Sequence, residues 1–286
     1  MNKNILVIAI LVAFPAVSFA RGERWVPNPP EPPPLSTLTN EARYIEWKWR
    51  CDVTDRSTGI DNATACADVL KLAGELEPVE PWNVVKARCF AYLCDNIAID
   101  VSPYDWFPAF ACWNRHKRPL SSVIWRRNGK IGAQFYPSIG QEINEGNRIG
   151  KWMVWKDFDH IIPEWDKVIP LGFPGMKKRL HDNWKDKPYY RAVGMTSDAI
   201  DRLLDRLAAQ GEKRGGERAL RQAECFRRLK TSAPQSTYDV MQFIYLYFVL
   251  SELFEAVQAR SLSIIDQTLW PYYKADLAAG RTSEAE

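Results

Sequence analysis

The thiols and imidazoles, the side chains that hold soft metals and do thiol or acid–base chemistry, are few. They are Cys51, Cys66, Cys89, Cys94, Cys112 and Cys225, with three histidines, His116, His160 and His181. A structural zinc site needs four such ligands at constrained spacing. No His-x-x-x-His pair and no Cys-x-x-Cys pair occurs, so zinc-knuckle and thioredoxin-like chemistry have no support. Cys112 and His116 lie four apart and could share a helix face, but two ligands do not complete a metal site. Asp157, Asp159 and His160 cluster in what reads as a solvated turn. The Gly-x-x-x-x-Gly-Lys-Ser phosphate loop, the Gly-x-Gly-x-x-Gly turn and the Gly-x-Ser-x-Gly elbow are all absent. Gly172-Phe173-Pro174-Gly175 reads as a tight turn before a basic helix start. Short motifs therefore single out no enzyme class. They assign no catalytic, cofactor-binding or metal-binding residue in this chain.

What the cysteines do depends on compartment: exported, they could pair; in the cytoplasm they stay thiols. Cys89 and Cys94 share one predicted helix but point in different directions, which places them poorly for bridging each other. The N-terminus bears on the question. Residues 1–4 carry Lys3, residues 5–17 are apolar apart from Pro15, and Ser18-Phe19-Ala20 puts small residues at both cleavage-determining positions. That is the layout of a secretory signal peptide over residues 1–20, cut after Ala20. A buried N-terminal helix, or a misplaced start, is the competing account. Residues 21–40 follow as a stiff linker holding Pro27, Pro29, Pro30, Pro32, Pro33 and Pro34. The folded part spans residues 41–286. Asn62-Ala63-Thr64 matches the glycosylation triplet, a short pattern common by chance.

Composition bounds the rest. The 286 residues suffice for one large domain or two ordinary ones. With 46% hydrophobic and 26% charged residues, disorder, collagen and coiled coil are excluded as the main state. A net charge of +3 gives no reason to expect nucleic acid as a partner.

The elements that must position these groups are mostly helical. Residues 64–73 and 83–94 read as helices, the second with Val85, Cys89, Tyr92 and Leu93 on one face. Glu77-Pro78-Val79-Glu80-Pro81-Trp82 forms the turn between them. Residues 101–175, rich in Trp, Pro and Gly, read as irregular segments with short strands and helices held by aromatic packing. A helix follows from Thr196, capped by Ser197, with Ile200, Leu203, Leu204 and Leu207 inward and Gly211 at its end. The next, 217–229, sets Leu220, Phe226 and Leu229 near one face and Arg218, Arg221, Arg227 and Arg228 largely outward. Ser236 and Asp239 have capping-box spacing. The run 240–250, apolar or aromatic except for Gln242, predicts a helix buried on nearly all sides; Glu252 and Glu255 interrupt it short of bilayer length. Ile264-Ile265 reads as a buried strand, Pro271 as a break, and 272–279 as a helix closed by Gly280.

Three of these pieces carry a resemblance. Ser236-Thr237-Tyr238-Asp239-Val240-Met241-Gln242 resembles the opening of a helix in pyruvate formate-lyase-like glycyl-radical enzymes. Arg260-Ser261-Leu262-Ser263-Ile264-Ile265-Asp266-Gln267 resembles the family segment that ends in Asp-Gln. The stretch from Pro271 through Tyr272, Tyr273, Asp276 and Gly280 to Arg281 is similar to its Pro-Tyr-Tyr-x-x-Asp-x-x-x-Gly-Arg element. Their order and spacing also fit. Weaker likeness, through Glu80-Pro81-Trp82, Gly172–Gly175 and Trp184, extends the match over roughly residues 45–286. Ser263-Ile264 stands where many members have Gly-Arg, which leaves the substrate subclass open.

The resemblance implies a helix-rich α/β fold: an N-terminal helical region and the first part of a barrel made of two half-barrels, incomplete here. It implies a glycyl radical relayed to a cysteine, whose thiyl radical abstracts hydrogen from a small-molecule substrate in a sealed, dry site. The reaction class is lyase or acyltransferase, cleaving a C–C, C–O or C–N bond in anaerobic metabolism. An activating enzyme using S-adenosylmethionine and an iron–sulfur cluster installs the radical, and a homodimer is allowed. The family's radical cysteine follows a glycine, whereas the residues before the cysteines here are Arg50, Ala65, Arg88, Leu93, Ala111 and Glu224. Arg191-Ala192-Val193-Gly194-Met195 resembles the family's radical-glycine motif only superficially and lies too early. The expectation is therefore an N-terminal fragment, inactive alone, binding no cofactor itself and poorly soluble or unstable for want of the rest of the barrel. It stays open whether the chain is truncated or one half of a split protein. The alternative is an exported helical binding module whose Trp-rich region grips a glycan or a partner. The signal peptide points to the periplasm or the exterior; the family points to the cytoplasm.

Overall fold

The computed structural model describes residues 59–101, 106–110, 119–120, 122–124, 126–127, 139–151, 160–181, 187–255 and 259–283. The signal peptide, the Pro-rich linker, Cys51, Cys112, His116, Trp113, Trp125, Trp152, Trp155, Asp157, Asp159 and Trp184 lie outside the described residues.

Helix α1 (Asn62–Leu76) starts where the Asp61 carboxylate accepts the Thr64 N–H at 2.7 Å, satisfying an amide the helix cannot pair itself. Asn62, Ala65, Val69 and Ala73 repeat at helical spacing and are buried. A buried Asn62 leaves no room for a glycan, so the triplet there marks a helix start. Helix α2 (Trp82–Asn96) leaves the proline turn as the sequence predicts, with Val85, Cys89 and Leu93 fully buried. Tyr92 is half-buried and donates its hydroxyl to Asp68 of α1.

Strands β1 (Ile99–Asp100) and β2 (Ala109–Phe110) pair antiparallel. Helix α3 (Ile139–Arg148), strand β3 (His160–Ile161) and helix α4 (Trp165–His181) follow. In α4 two helical pieces join at Gly172, whose φ is 58°. A Cβ there would meet the Ala233 Cα at 2.8 Å, so the tight turn needs glycine for both conformation and space.

Helix α5 (Pro188–Arg214) corrects the sequence reading at both ends. Thr196 and Ser197 do not open it. Their hydroxyls donate back to the Ala192 and Val193 carbonyls, each at 3.0 Å, so the helix runs through them. Pro188, with no N–H to lose, sits in the first turn instead. Gly211 does not end the helix; Gly215, with φ 69°, does. Gly211 is buried where α5 crosses helix α6 (Glu217–Thr231), and a Cβ there would lie 2.8 Å from the Ala219 carbonyl oxygen. Within α6, Phe226 and Leu229 are buried as expected, whereas Leu220 is 45% exposed.

Helix α7 (Thr237–Glu255) carries the apolar run. Val240, Phe243, Ile244, Leu246, Val249 and Leu250 are buried, and Tyr245, Tyr247 and Phe248 pack half-buried against the same core. No described helix is long and apolar enough to cross a membrane. Trp165 and Phe173 of α4 supply the aromatic packing, with Trp165 edge-on to Tyr247 at 5.4 Å and to Phe248 at 5.3 Å.

Strand β4 is Ala259–Arg260, not Ile264-Ile265. Ile264 is 57% exposed and precedes helix α8 (Ile265–Ala278). Pro271 does not break α8: it sits inside the helix, where its missing N–H forgoes only the bond to the Gln267 carbonyl, and both residues are exposed. β4 pairs parallel with β3, His160 opposite Ala259 and Ile161 opposite Arg260.

Helix α5 is the hub, packed on α2, α6 and α4. Leu203, Leu204, Leu207 and Ala208 bury its inner face. Ion pairs flank it: Arg202 with Asp95 at 2.8 Å, Lys230 with Asp205 at 2.6 Å, Lys177 with Asp198 at 2.7 Å, and Arg191 with Glu80. The described residues are thus helix-rich, with one antiparallel and one parallel strand pair.

Candidate functional site

The motif residues at 236–281 gather where α6, α7 and α8 meet. The Ser236 hydroxyl accepts the Asp239 N–H at 3.1 Å and caps α7. Asp239 departs from a full capping box: its carboxylate turns to α6 and takes the Arg228 guanidinium at two points. One oxygen also accepts the Gln235 N–H at 3.3 Å. Burial opposes ionisation of Asp239, but Arg228 and the Cys225 thiol, which donates to it, hold its carboxyl below the usual range. Arg228, expected to face outward, is thus bound to a carboxylate 1% exposed.

Farther along α7, the Tyr238 hydroxyl donates to the Trp106 carbonyl at 2.6 Å, and the fully buried Gln242 amide donates to the Pro108 carbonyl at 3.3 Å. The two side chains are one helical turn apart, so one face of α7 pins the 106–110 segment. Phe107 stacks on Tyr238 at 5.6 Å, and the Arg218 guanidinium covers the Trp106 ring at 4.2 Å.

On the other side, Asp276 accepts the Thr237 N–H at 2.7 Å and pairs with Arg281 at 2.8 Å. Gly280, with φ 65°, turns the chain so that the Arg281 N–H reaches the Asp276 carbonyl at 2.9 Å and the Gly280 N–H reaches that of Leu277 at 3.1 Å. This is a Schellman closure, and it explains the Asp-x-x-x-Gly-Arg spacing.

The loop after β4 sits at the carboxyl ends of the parallel pair. Trp165 Nε1 donates to the Ser261 carbonyl at 3.3 Å, and the Ser263 N–H donates to Ser261 Oγ at 3.0 Å. Ser263 has φ 52°, the one positive value among described residues other than glycine. The position that holds Gly in the resembling pattern therefore has the backbone glycine prefers. Nothing in the sequence of this chain signalled that conformation.

The remaining candidates do not converge. His160 lies on β3 and His181 ends α4. Among the described residues no group of three or more His, Cys, Asp or Glu could hold a metal ion. Cys89, Cys94 and Cys225 are buried and outside any disulfide. Burial pushes all three thiols up, Cys89 to about 12, so none is a ready nucleophile. The segment from Arg191 to Met195 lies inside α5 rather than on a loop.

A profile of the Pyruvate formate lyase-like family matches residues 125–286, more than half of the chain. The chain belongs to the pyruvate formate lyase-like family. Solved glycyl radical enzyme structures share its fold. The match to a glycyl radical enzyme from Archaeoglobus fulgidus has a TM-score of 0.63 at 17% identity, covering 78% of this chain and 36% of that one. A Roseburia inulinivorans structure described by 1,2-propanediol dehydration gives 0.60 at 15% identity, covering 77% and 33%. Hydroxyproline dehydratase from Clostridioides difficile, solved with trans-4-hydroxy-L-proline, gives 0.63 at 13% identity, covering 87% and 38%. The chain thus spans about a third of the length of the solved structures it matches. No curated protein matches it significantly. For this pyruvate formate lyase-like chain, the ordered motifs are the fastenings of α6, α7 and α8 and the loop after β4.

Proposed function

We propose that this chain is the N-terminal part of a glycyl-radical enzyme and forms the first part of its α/β barrel. The carrying observation is the parallel β3–β4 pair, joined through α4–α7, with one family segment opening α7 and the other two running from β4 through α8. Parallel strands need long crossovers and occur in larger sheets covered on both faces, so two short ones belong to something bigger. In such barrels the loops at the carboxyl ends of strands face the substrate. The Ser261–Ile264 loop occupies that place. It offers hydroxyls and an isoleucine where a Gly-Arg member offers a guanidinium, which favours a substrate without a carboxylate at that point.

The Roseburia and Clostridioides relatives are described by dehydration, which supports C–O cleavage of a small hydroxylated substrate, a lyase reaction, over acyl transfer. The radical chemistry would come from family segments that do not occur in residues 1–286, so in this reading the chain alone is inactive. An activating enzyme, and a second copy as dimer partner, belong to the same proposal. Export through residues 1–20 is a separate proposal, tested by N-terminal sequencing of the mature protein: a start at Arg21 supports it and a start at Met1 overturns it.

The decisive test of the catalytic reading is the coding sequence downstream of codon 286 and in neighbouring genes. A Gly-Cys-acidic segment and an Arg-Val-x-Gly-Tyr segment support the proposal; absence of both overturns it. Where they are present, the joint protein, activated anaerobically, should show a glycyl-radical signal by electron paramagnetic resonance and dehydrate 1,2-propanediol.

A further inference from the structure

We propose that α8 is a strap whose closure on α7 depends on the Asp276 carboxylate, and that acid releases it while the α1–α2–α5–α6 body stays folded. Of the 14 residues in α8, only Leu269 and Asp276 are buried. Its main helical neighbour is α7. Ile265 and Tyr272 pack half-buried against the core beside them, so one of the two fully sheltered side chains of α8 is an ionisable group.

The geometry makes that group work as an anion. Thr237 is the first residue of α7, where backbone N–H groups have no partner within the helix and the helix dipole favours negative charge. Asp276 gives Thr237 one oxygen and Arg281 the other. Charge-assisted bonds of this kind are roughly twice as strong as neutral ones. Arg281 is held in place by the closure at Gly280, so it moves with α8 rather than with α7. A protonated Asp276 loses the ion pair and weakens its hydrogen bonding to Thr237 at the start of α7.

The neighbouring charges do not substitute for it. Arg281 faces Asp276 from just past the end of α8 and Thr237 faces it from α7. The second carboxylate at this helix start, Asp239, is committed to Arg228 and Cys225 of α6, with Glu224 and Arg218 beyond them. Burial raises the Asp276 carboxyl, but Thr237 and Arg281 outweigh it and bring it below its ordinary 3.8. A depressed acid contributes stability that is complete above its unfolded value and is lost as pH falls through the folded one. The core of the body is apolar, built on Phe90, Leu203, Leu204, Leu207 and Phe226, and most of its ion pairs are exposed and contribute little; the carboxylates buried against its arginines are Asp100 with Arg214 and Asp239 with Arg228.

Hydrogen exchange by mass spectrometry on the full chain, corrected for the pH dependence of intrinsic exchange, tests this. Between pH 7 and about pH 3, protection of residues 261–281 should fall at least tenfold more than that of residues 199–229. Asp276→Asn, which keeps the shape without the charge, should lower protection of 261–281 at pH 7 and remove the acid step. Asp239→Asn should leave the step in place. Loss of protection in both regions together, or a wild-type acid step in Asp276→Asn, overturns the proposal. If Asp276→Asn does not fold, the wild-type profile alone decides.

Discussion

Arg228 and Asp239 meet across the α6–α7 corner as a two-point pair, Nη2 to Oδ1 at 2.8 Å and Nε to Oδ2 at 3.2 Å. The carboxylate is 1% exposed while the guanidinium is 41% exposed. One partner has thus lost its water and the other has not. Removing Arg228 strands a buried charge; replacing Asp239 strands only a solvated cation. Arg228→Met should therefore cost about 3–5 kcal/mol, and Asp239→Asn less. Urea unfolding at pH 7 would check the order, and equal losses would contradict it.

The backbone of Ser263 lies at a φ of 52°, in the left-handed region that glycine prefers. Its side chain is exposed, and the Ser261 bond uses only its backbone N–H. Ser263→Gly should therefore stabilise the chain by about 1 kcal/mol, and Ser263→Val should destabilise it. Thermal melts of both variants would read the two signs. A destabilised glycine variant would mean the loop is held by the hydroxyl.

Two glycines should respond oppositely to alanine. Gly172 has φ 58° and would push a Cβ to 2.8 Å from the Ala233 Cα, so Gly172→Ala should cost about 2 kcal/mol or more. Gly194 lies inside α5 with nothing within 4 Å of its added Cβ, so Gly194→Ala should gain about 0.5–1 kcal/mol. Denaturant midpoints measured side by side would separate them.

The Cys89 thiol is raised from 9.0 to about 12, by burial first, with Arg126 opposing and Glu77 adding. A raised group contributes stability that is complete below its unfolded value and is lost as pH climbs toward the folded one. Unfolding free energy should fall between pH 9 and 12, and Cys89→Ala should flatten part of that slope. In the native protein at pH 8, Cys89, Cys94 and Cys225 should resist an aromatic disulfide reagent that labels them after denaturation.

Periodicity alone determined much of this chain. The inner face of α2 follows from apolar residues repeating every three to four positions, and the near-complete burial of α7 from its unbroken apolar run, a local demand that any tertiary context must meet. The family pattern likewise lay in residue order. The start of α5 did not: Thr196 and Ser197 are cap residues by type, and only continued helix before them turns their hydroxyls to back-bonding. Strands β3 and β4 are two residues each and carry no period to read. Arg228 sits among outward arginines, and nothing near it in the chain marks it as different. What separates it is Asp239, eleven residues on, swung beside it when α7 folds back on α6. The same holds for Asp276 and Thr237, 39 residues apart. Sequence set which residues hide from water. Tertiary structure decided which charges hide with them, because a buried charge is tolerable only where distant chain supplies its partner.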